Sequence, residues 1–170
     1  MKNLYLNLFF TNLRKYNEGK MNGSWVNILK INDWNKFMKT FDDEYFISDF
    51  EANFNIDMEY ISIDELESFQ EFINYVNIED KQDIAIDLLD LKIDLYKVFE
   101  ILKNETYMYI KDIKTDEELG EEIIENDPQF YNLSDNIKIY LDREDIGRDF
   151  RLNNKGGFVN GNYITYWIIK

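Results

Sequence analysis

Between Asp42 and Glu100 the chain carries eighteen Asp and Glu residues, opposed only by Lys81, Lys92 and Lys97, a local net charge of −15. The flanks differ: residues 1–41 are +5 and residues 101–170 are −5, so the whole chain is also −15. A segment this acidic can fold only if its carboxylates line up outside an apolar core. Residues 80–103, which lack Gly, Pro and Asn, suggest how. Ile84, Leu88, Leu91, Leu95, Val98 and Leu102 recur at spacings of four and three, the apolar stripe of a helix or of two successive helices. Asp83, Asp87, Asp90 and Asp94 repeat the same spacing one residue earlier, which predicts a second line about 100° round the helix and roughly 16 Å long. A further apolar row (Ile86, Leu89, Ile93, Tyr96) places the helix between neighbours, with the Asp line on an open edge. Like charges at this spacing each cost roughly 0.2–0.5 kcal/mol, and Asp is a poor helix former. A face kept only for solvation would interleave both signs, so this one reads as charge used by something outside the helix.

What the sequence lacks is equally restrictive. There is no His and no Cys, which removes Ser-His-Asp triads, Cys-His pairs, disulfides and thiolate metal sites. An EF-hand loop beginning at Asp49 would need Gly and Glu where Phe54 and Tyr60 stand. No cofactor and no metal is expected. A pI near 4.4 predicts repulsion from nucleic acid and attraction to a basic partner. No run of 18 apolar residues suggests a membrane span, and Met1–Leu6 reads as the start of a strand rather than a signal peptide, so a cytoplasmic protein is expected.

In chain order, Leu4–Phe10 alternates as a strand, Thr11–Gly23 reads as a loop, and Ser24–Ile31 as a second strand. Gly19 and Gly23 are expected in turns with positive φ, and Trp25 in the core. Asn32 is the expected cap of a helix over residues 33–41. Residues 44–60 alternate as an acidic strand interrupted near Ala52. Ser62-Ile63-Asp64-Glu65 is a capping box whose helix buries Leu66, Phe69, Ile73 and Val76 and turns Asp64, Glu67 and Glu71 outward. A strand over 106–110 follows, then a second box, Thr115-Asp116-Glu117-Glu118, opening a Glu-rich helix that Asp127-Pro128 ends. Ser134 and Asp142 cap two more helices, and Asn160-Gly161 between apolar runs predicts a two-residue hairpin. The expected fold is α+β, an elongated chain of three small modules: residues 1–61, antiparallel β with a short helix; residues 62–104, acidic and helical; and residues 105–170, three strands with helices.

Three blocks carry a family resemblance. Thr11 to Gly19 with Gly23-Ser24-Trp25, Glu44 to Glu51, and Asn136 to Leu152 (with Ile139-Tyr140-Leu141-Asp142 and Ile146-Gly147-Arg148-Asp149-Phe150) resemble, in that order, the ArdA-type antirestriction proteins. The middle of the chain shares only its acidity, and Arg143 stands where that family commonly has an aromatic residue. The resemblance implies a DNA mimic of mobile elements, not an enzyme: a dimer whose acids imitate duplex phosphates inside the DNA channel of type I restriction–modification enzymes. The acids that would serve are Asp49, Glu51, Asp64, Glu67, Glu71, Asp80, Asp83, Asp87, Asp90, Asp94, Glu100, Glu117, Glu121 and Glu125. The resemblance places the subunit contact in the C-terminal module, where Leu119, Tyr131 and Leu133 are candidates. With affinity spread over many acids, a single change such as Asp87→Asn is expected to matter little. The competing classes are an acidic inhibitor or immunity protein for another basic enzyme, a carboxylate-pair glycosidase, and a magnesium nuclease built on Glu79 and Lys81, whose Glu-x-Lys letters fall at a helix start rather than on a strand.

Overall fold

The computed structural model describes residues 2–20, 22–41, 44–56 and 62–167. The fold is α+β, and by its contacts the chain divides into two compact units, Met1–Ile86 and Asp87–Lys170. The residues expected to form a separate central module are shared between them.

The first unit is built on β1 (Leu6–Asn12), flanked antiparallel by β2 (Gly23–Asn27) and β3 (Tyr45–Ala52) in the order β2-β1-β3. Leu4, Leu6, Leu8 and Phe10 are all buried on one face, the alternation read from the sequence. Two amides continue that ladder. Asn53 accepts from the Tyr5 N–H at 3.0 Å and donates to the Asn3 carbonyl at 3.1 Å, while Asn77 does the same to both backbone groups of Leu4, at 2.8 and 2.9 Å. In β3 the register jumps between Phe9 and Phe10, so Ser48 bulges out of the ladder and its Oγ meets Thr11 Oγ1 at 2.7 Å.

Several local readings need correction. The loop after β1 contains a short helix, α1 (Leu13–Asn17), because the Asn12 side chain accepts from the Lys15 N–H at 2.9 Å. Gly19 has the expected positive φ of 75°, whereas Gly23 sits in β2 without one. A Cβ on Gly23 would lie 2.4 Å from the Phe9 ring, so it is close approach and not a turn that requires glycine there. β2 stops short of Ile31 because the Asn27 side chain accepts from the Leu29 N–H and winds Ile28–Lys30 into a 3-10 turn, burying Ile28. Asp33, not Asn32, caps α2 (Trp34–Met38), accepting from the Lys36 N–H at 2.8 Å. Part of the alternating stretch expected after Ala52, Asp57–Tyr60, lies outside the described residues.

α3 (Ile63–Ile78) opens on the complete Ser62/Glu65 capping box and buries Leu66, Phe69, Phe72, Ile73 and Val76. Its Gln70 amide donates to the carbonyls of Ile28 and Ile31 and accepts from the Trp34 indole N–H, tying α3 to the 3-10 turn and to α2. The chain continues into α4 (Gln82–Asp90), within which the first unit ends.

In the second unit the expected helical segment proves to be two helices. Lys92 takes a positive φ of 62°, and Asp94 accepts from the N–H groups of Tyr96 and Lys97 to cap α5 (Leu95–Asn104). The Asp line therefore does not continue straight past Asp90. β4 (Tyr107–Ile110), β5 (Gly157–Val159) and β6 (Asn162–Tyr166) form an antiparallel sheet in the order β4-β6-β5. The β5–β6 link is the expected two-residue turn, with φ of 49° at Asn160 and 85° at Gly161.

α6 (Asp116–Asn126), α7 (Asp135–Lys138) and α8 (Arg143–Asn153) complete the unit. Asp142 caps α8 as expected, whereas Ser134 makes no side-chain cap bond to α7. Thr115 accepts from the Glu118 N–H, but Glu118 accepts from Lys114 rather than from Thr115, so the second box is open. α6 and α8 cross at backbone contact. A Cβ on Gly120 would lie 1.8 Å from the Arg143 carbonyl oxygen, and one on Gly147 1.8 Å from that of Asp116. Leu119, Ile123, Ile113 and Tyr163 form the core beside that crossing. Arg151 clamps it with two hydrogen bonds to the Asp116 carboxylate, at 2.7 and 2.8 Å.

Candidate partner-binding surface

The fourteen acids singled out in the sequence divide into those the fold uses and those it leaves at the surface. In α3, the residues that bury Leu66, Ile73 and Val76 leave Asp64, Glu67 and Glu71 exposed on the other side, spaced three and four apart. Next to them, the backbone N–H and hydroxyl of Ser62 hold the Glu65 carboxyl below the usual carboxylate range. In α6, burial of Leu119, Gly120, Ile123 and Ile124 leaves Glu117, Glu121 and Glu125 exposed at strict four-residue spacing, a line about 12 Å long. Arg143 approaches Glu121 to 3.8 Å at the surface. Asp80 and Glu100 are also exposed. On β3, Asp49 and Glu51 are exposed, and Glu51 accepts from the Tyr5 hydroxyl and the Asn7 amide at 3.3 and 3.2 Å.

The acids from residue 83 to residue 94, read as one outward line, behave otherwise. Asp83 and Asp90 are half-buried, and Asp94 is exposed but spends an oxygen on its cap. Asp87 is 2 % exposed and belongs to the interior. Its Oδ2 accepts from the Tyr109 hydroxyl at 3.1 Å and the Asn162 amide at 2.9 Å, and its Oδ1 from the Asn160 amide at 2.7 Å. The same Asn160 amide reaches Asp90 at 2.8 Å. The open edge expected for this line is thus corrected at Asp87, which the hairpin turn and β4 cover.

Leu119, picked as a subunit contact, is fully buried in its own core and has no surface to offer. Tyr131 is 61 % exposed, its hydroxyl donating to the Asn126 carbonyl, and Leu133 is half-buried. Trp25 reverses its expectation. It is 51 % exposed, with its ring edge-on to Phe9 at 5.3 Å. Glu79 ends α3 at the surface, and the Lys81 ammonium donates to the Tyr75 hydroxyl at 3.1 Å, away from any strand. Among the described residues no three acidic side chains gather closely enough to hold a metal ion, and no helix is long and apolar enough to cross a membrane.

Exposed acids thus line one side of α3 and of α6, while Asp87 is held in the interior by neutral donors. Residues 8–165 fit the family model described as antirestriction protein (ArdA). The chain belongs to the ArdA family. No curated protein matches it. Membership places the chain among antirestriction proteins, and the matched residues span all three blocks read from the sequence. The residues that sequence reasoning missed are the amides Gln70, Asn77, Asn160 and Asn162, because an Asn or Gln carries no periodic signal of the partner it will meet.

Proposed function

We propose that this ArdA protein inhibits a restriction–modification enzyme, of type I, by setting carboxylates where the enzyme's channel expects duplex phosphates, and that it is not itself an enzyme. The observation that carries this reading is the pair of exposed carboxylate lines, Asp64/Glu67/Glu71 on α3 and Glu117/Glu121/Glu125 on α6. Charges on such a line recur about every 5–6 Å. A duplex presents one charge per about 1.7 Å of axis over both strands, so each line carries roughly a third of its charge density. Steering by a net charge of −15 favours fast association with a basic channel at low salt. A homodimer would carry twice that charge, as much as roughly fifteen base pairs. Tyr131 and Leu133 remain candidates for the subunit contact, and the protein would act in the cytoplasm, where such an enzyme meets incoming DNA.

The acids assigned to the partner are Asp49, Glu51, Asp64, Glu67, Glu71, Asp80, Glu100, Glu117, Glu121 and Glu125. A pull-down with a purified type I methyltransferase core, with and without duplex oligonucleotide, tests the reading. Capture that the duplex displaces is the expected result. Capture indifferent to duplex would point instead to an acidic inhibitor acting elsewhere on a basic enzyme, and no capture would refute the target.

A further inference from the structure

The outward face of the first sheet carries a feature that charge mimicry does not require. Cross-strand partners point to the same side of a sheet, so the register puts Phe9 between Trp25 on one neighbour and Asp49 on the other, with Glu51 two residues along, opposite Asn7. Trp25 is half-exposed, its ring is held edge-on by Phe9, and its indole N–H has no acceptor among the described residues. Gly23 permits this arrangement, since any side chain there would strike the Phe9 ring. Past the Ser48 bulge the aromatic band continues with Phe46, against which Tyr16 packs at 5.3 Å. The nearby cations Arg14 and Lys20 both turn to Glu18, at 3.7 and 3.1 Å.

A tryptophan left half in water, with two carboxylates on the same face of the sheet across β1, has the chemistry of a cation receptor. The ring face attracts a guanidinium electrostatically, and the acids across β1 lower the cost of bringing positive charge to this face. We infer that this face is an anchor for an arginine side chain of the basic partner protein, with Trp25 stacking on the guanidinium and Asp49 and Glu51 drawing it in. The inference rests on the proposed function, because it takes the partner to be a basic protein. Nucleic acid is the wrong occupant: aromatic platforms for bases sit in positively charged grooves, and here Asp49 and Glu51 would repel phosphates. A second copy would set the same acids against each other.

The test measures affinity of the full chain for a purified type I methyltransferase core at several salt concentrations, for the parent, Trp25→Ala and Trp25→Phe. Because buried aromatic–arginine contacts dominate interfaces, Trp25→Ala should weaken binding roughly tenfold or more at every salt concentration. The salt slope should stay that of the parent, since no charge is lost, and Trp25→Phe should recover most of the affinity. If the parent binds and Trp25→Ala binds equally well, the inference falls while the proposed function stands. If the parent does not bind the core at all, the proposed function falls and takes the inference with it. A Trp25→Ala protein whose oligomeric state changes while its affinity does not would assign the face to a second copy and overturn the inference. Should Trp25→Ala unfold, hydroxyl-radical footprinting of the parent decides: oxidation of Trp25 should fall in the complex, and unchanged oxidation overturns the inference.

Discussion

Asp87→Asn, an isosteric loss of one charge, should damage the fold far more than it damages inhibition. Three donors converge on the two oxygens of Asp87: the Tyr109 hydroxyl, the Asn160 amide and the Asn162 amide. Asparagine offers one oxygen and one NH2 group, so either orientation sets a donor against a donor. The less costly orientation turns the NH2 toward Asn160, which keeps its bond to Asp90. Leaving a buried donor unpaired costs about 1–3 kcal/mol, and the surviving bonds lose their charge assistance. The sum is about 2–3 kcal/mol, a drop in Tm of roughly 5–10 °C for a chain of this size. Asp87→Ala should cost more, because none of the three donors keeps an oxygen at position 87. The exposed Glu100→Gln serves as the control, with an effect within about 0.5 kcal/mol. Urea titration followed by circular dichroism reads the stability, and DNA-cleavage inhibition per folded molecule reads the function. If Asp87→Asn unfolded with the parent yet inhibited several-fold less well, the hydrogen-bond reasoning would be wrong and Asp87 would belong to the partner surface after all.

Neutralising Glu117, Glu121 and Glu125 together should weaken inhibition several-fold and flatten its salt dependence, while each single change moves it less than about twofold; titration of restriction against inhibitor at two salt concentrations checks both. Gly147→Ala places a methyl group 1.8 Å from the Asp116 carbonyl oxygen and should cost at least about 1–3 kcal/mol by forcing α6 from α8, visible as a lower urea midpoint. The Arg151 guanidinium, chiefly by its hydrogen bonds, holds the Asp116 carboxyl below its ordinary value, so the unfolded chain takes up that proton first as pH falls. The stability it contributes is present above the ordinary carboxylate range and lost through acid pH; Arg151→Met should remove about 1–2 kcal/mol at pH 7, after allowance for solvent screening, and blunt the acid slope. Burial pushes the Tyr163 hydroxyl up to about 12, so the unfolded chain ionises first and stability should fall between pH about 10 and 12, with Tyr163→Phe flattening that limb.

What could be read in advance was what repeats or caps. The alternation of Leu4, Leu6, Leu8 and Phe10, the Ser62/Glu65 box and the Asn160-Gly161 turn are local rules that tertiary structure had no reason to override. Exposed acids on α3 and α6 were legible for the same reason: each is the complement of an apolar stripe. The Asp83–Asp94 line misled because the same periodicity arises from a solvated face and from a face that meets hydrogen-bond donors across a gap. Only the arrival of Asn160, Asn162 and Tyr109 distinguishes the two, and all three come from sequence more than fifteen residues away. Trp25 misled in the opposite sense. An aromatic residue in a strand is usually core, but β1 had already filled the inner face with leucines and Phe10, so the register left Trp25 outside.

The partners chosen for the structural acids bear on function. Asp87, Asp90 and Glu51 are held by amides and by tyrosine hydroxyls, donors that bring no positive charge. A lysine or arginine at Asn160 or Asn162 could also donate to these carboxylates, but each would remove one unit from the field that a basic channel meets, and at Asn162 it would lose the acceptor of the Asp112 N–H at 3.2 Å. Neutral donors satisfy a carboxylate while leaving its charge visible, screened only by distance and burial. Arg151 on Asp116 differs, and it sits where α6 and α8 touch backbone to backbone, a crossing whose geometry needs a rigid clamp more than it needs another negative charge. Asn162→Lys separates the two roles. It trades the acceptor of the Asp112 N–H for an ion pair with Asp87, so the melting temperature at low salt should change little, while inhibition weakens slightly, with a shallower salt slope. A gain in both stability and inhibition would mean that the interior acids add nothing to the field felt by the partner.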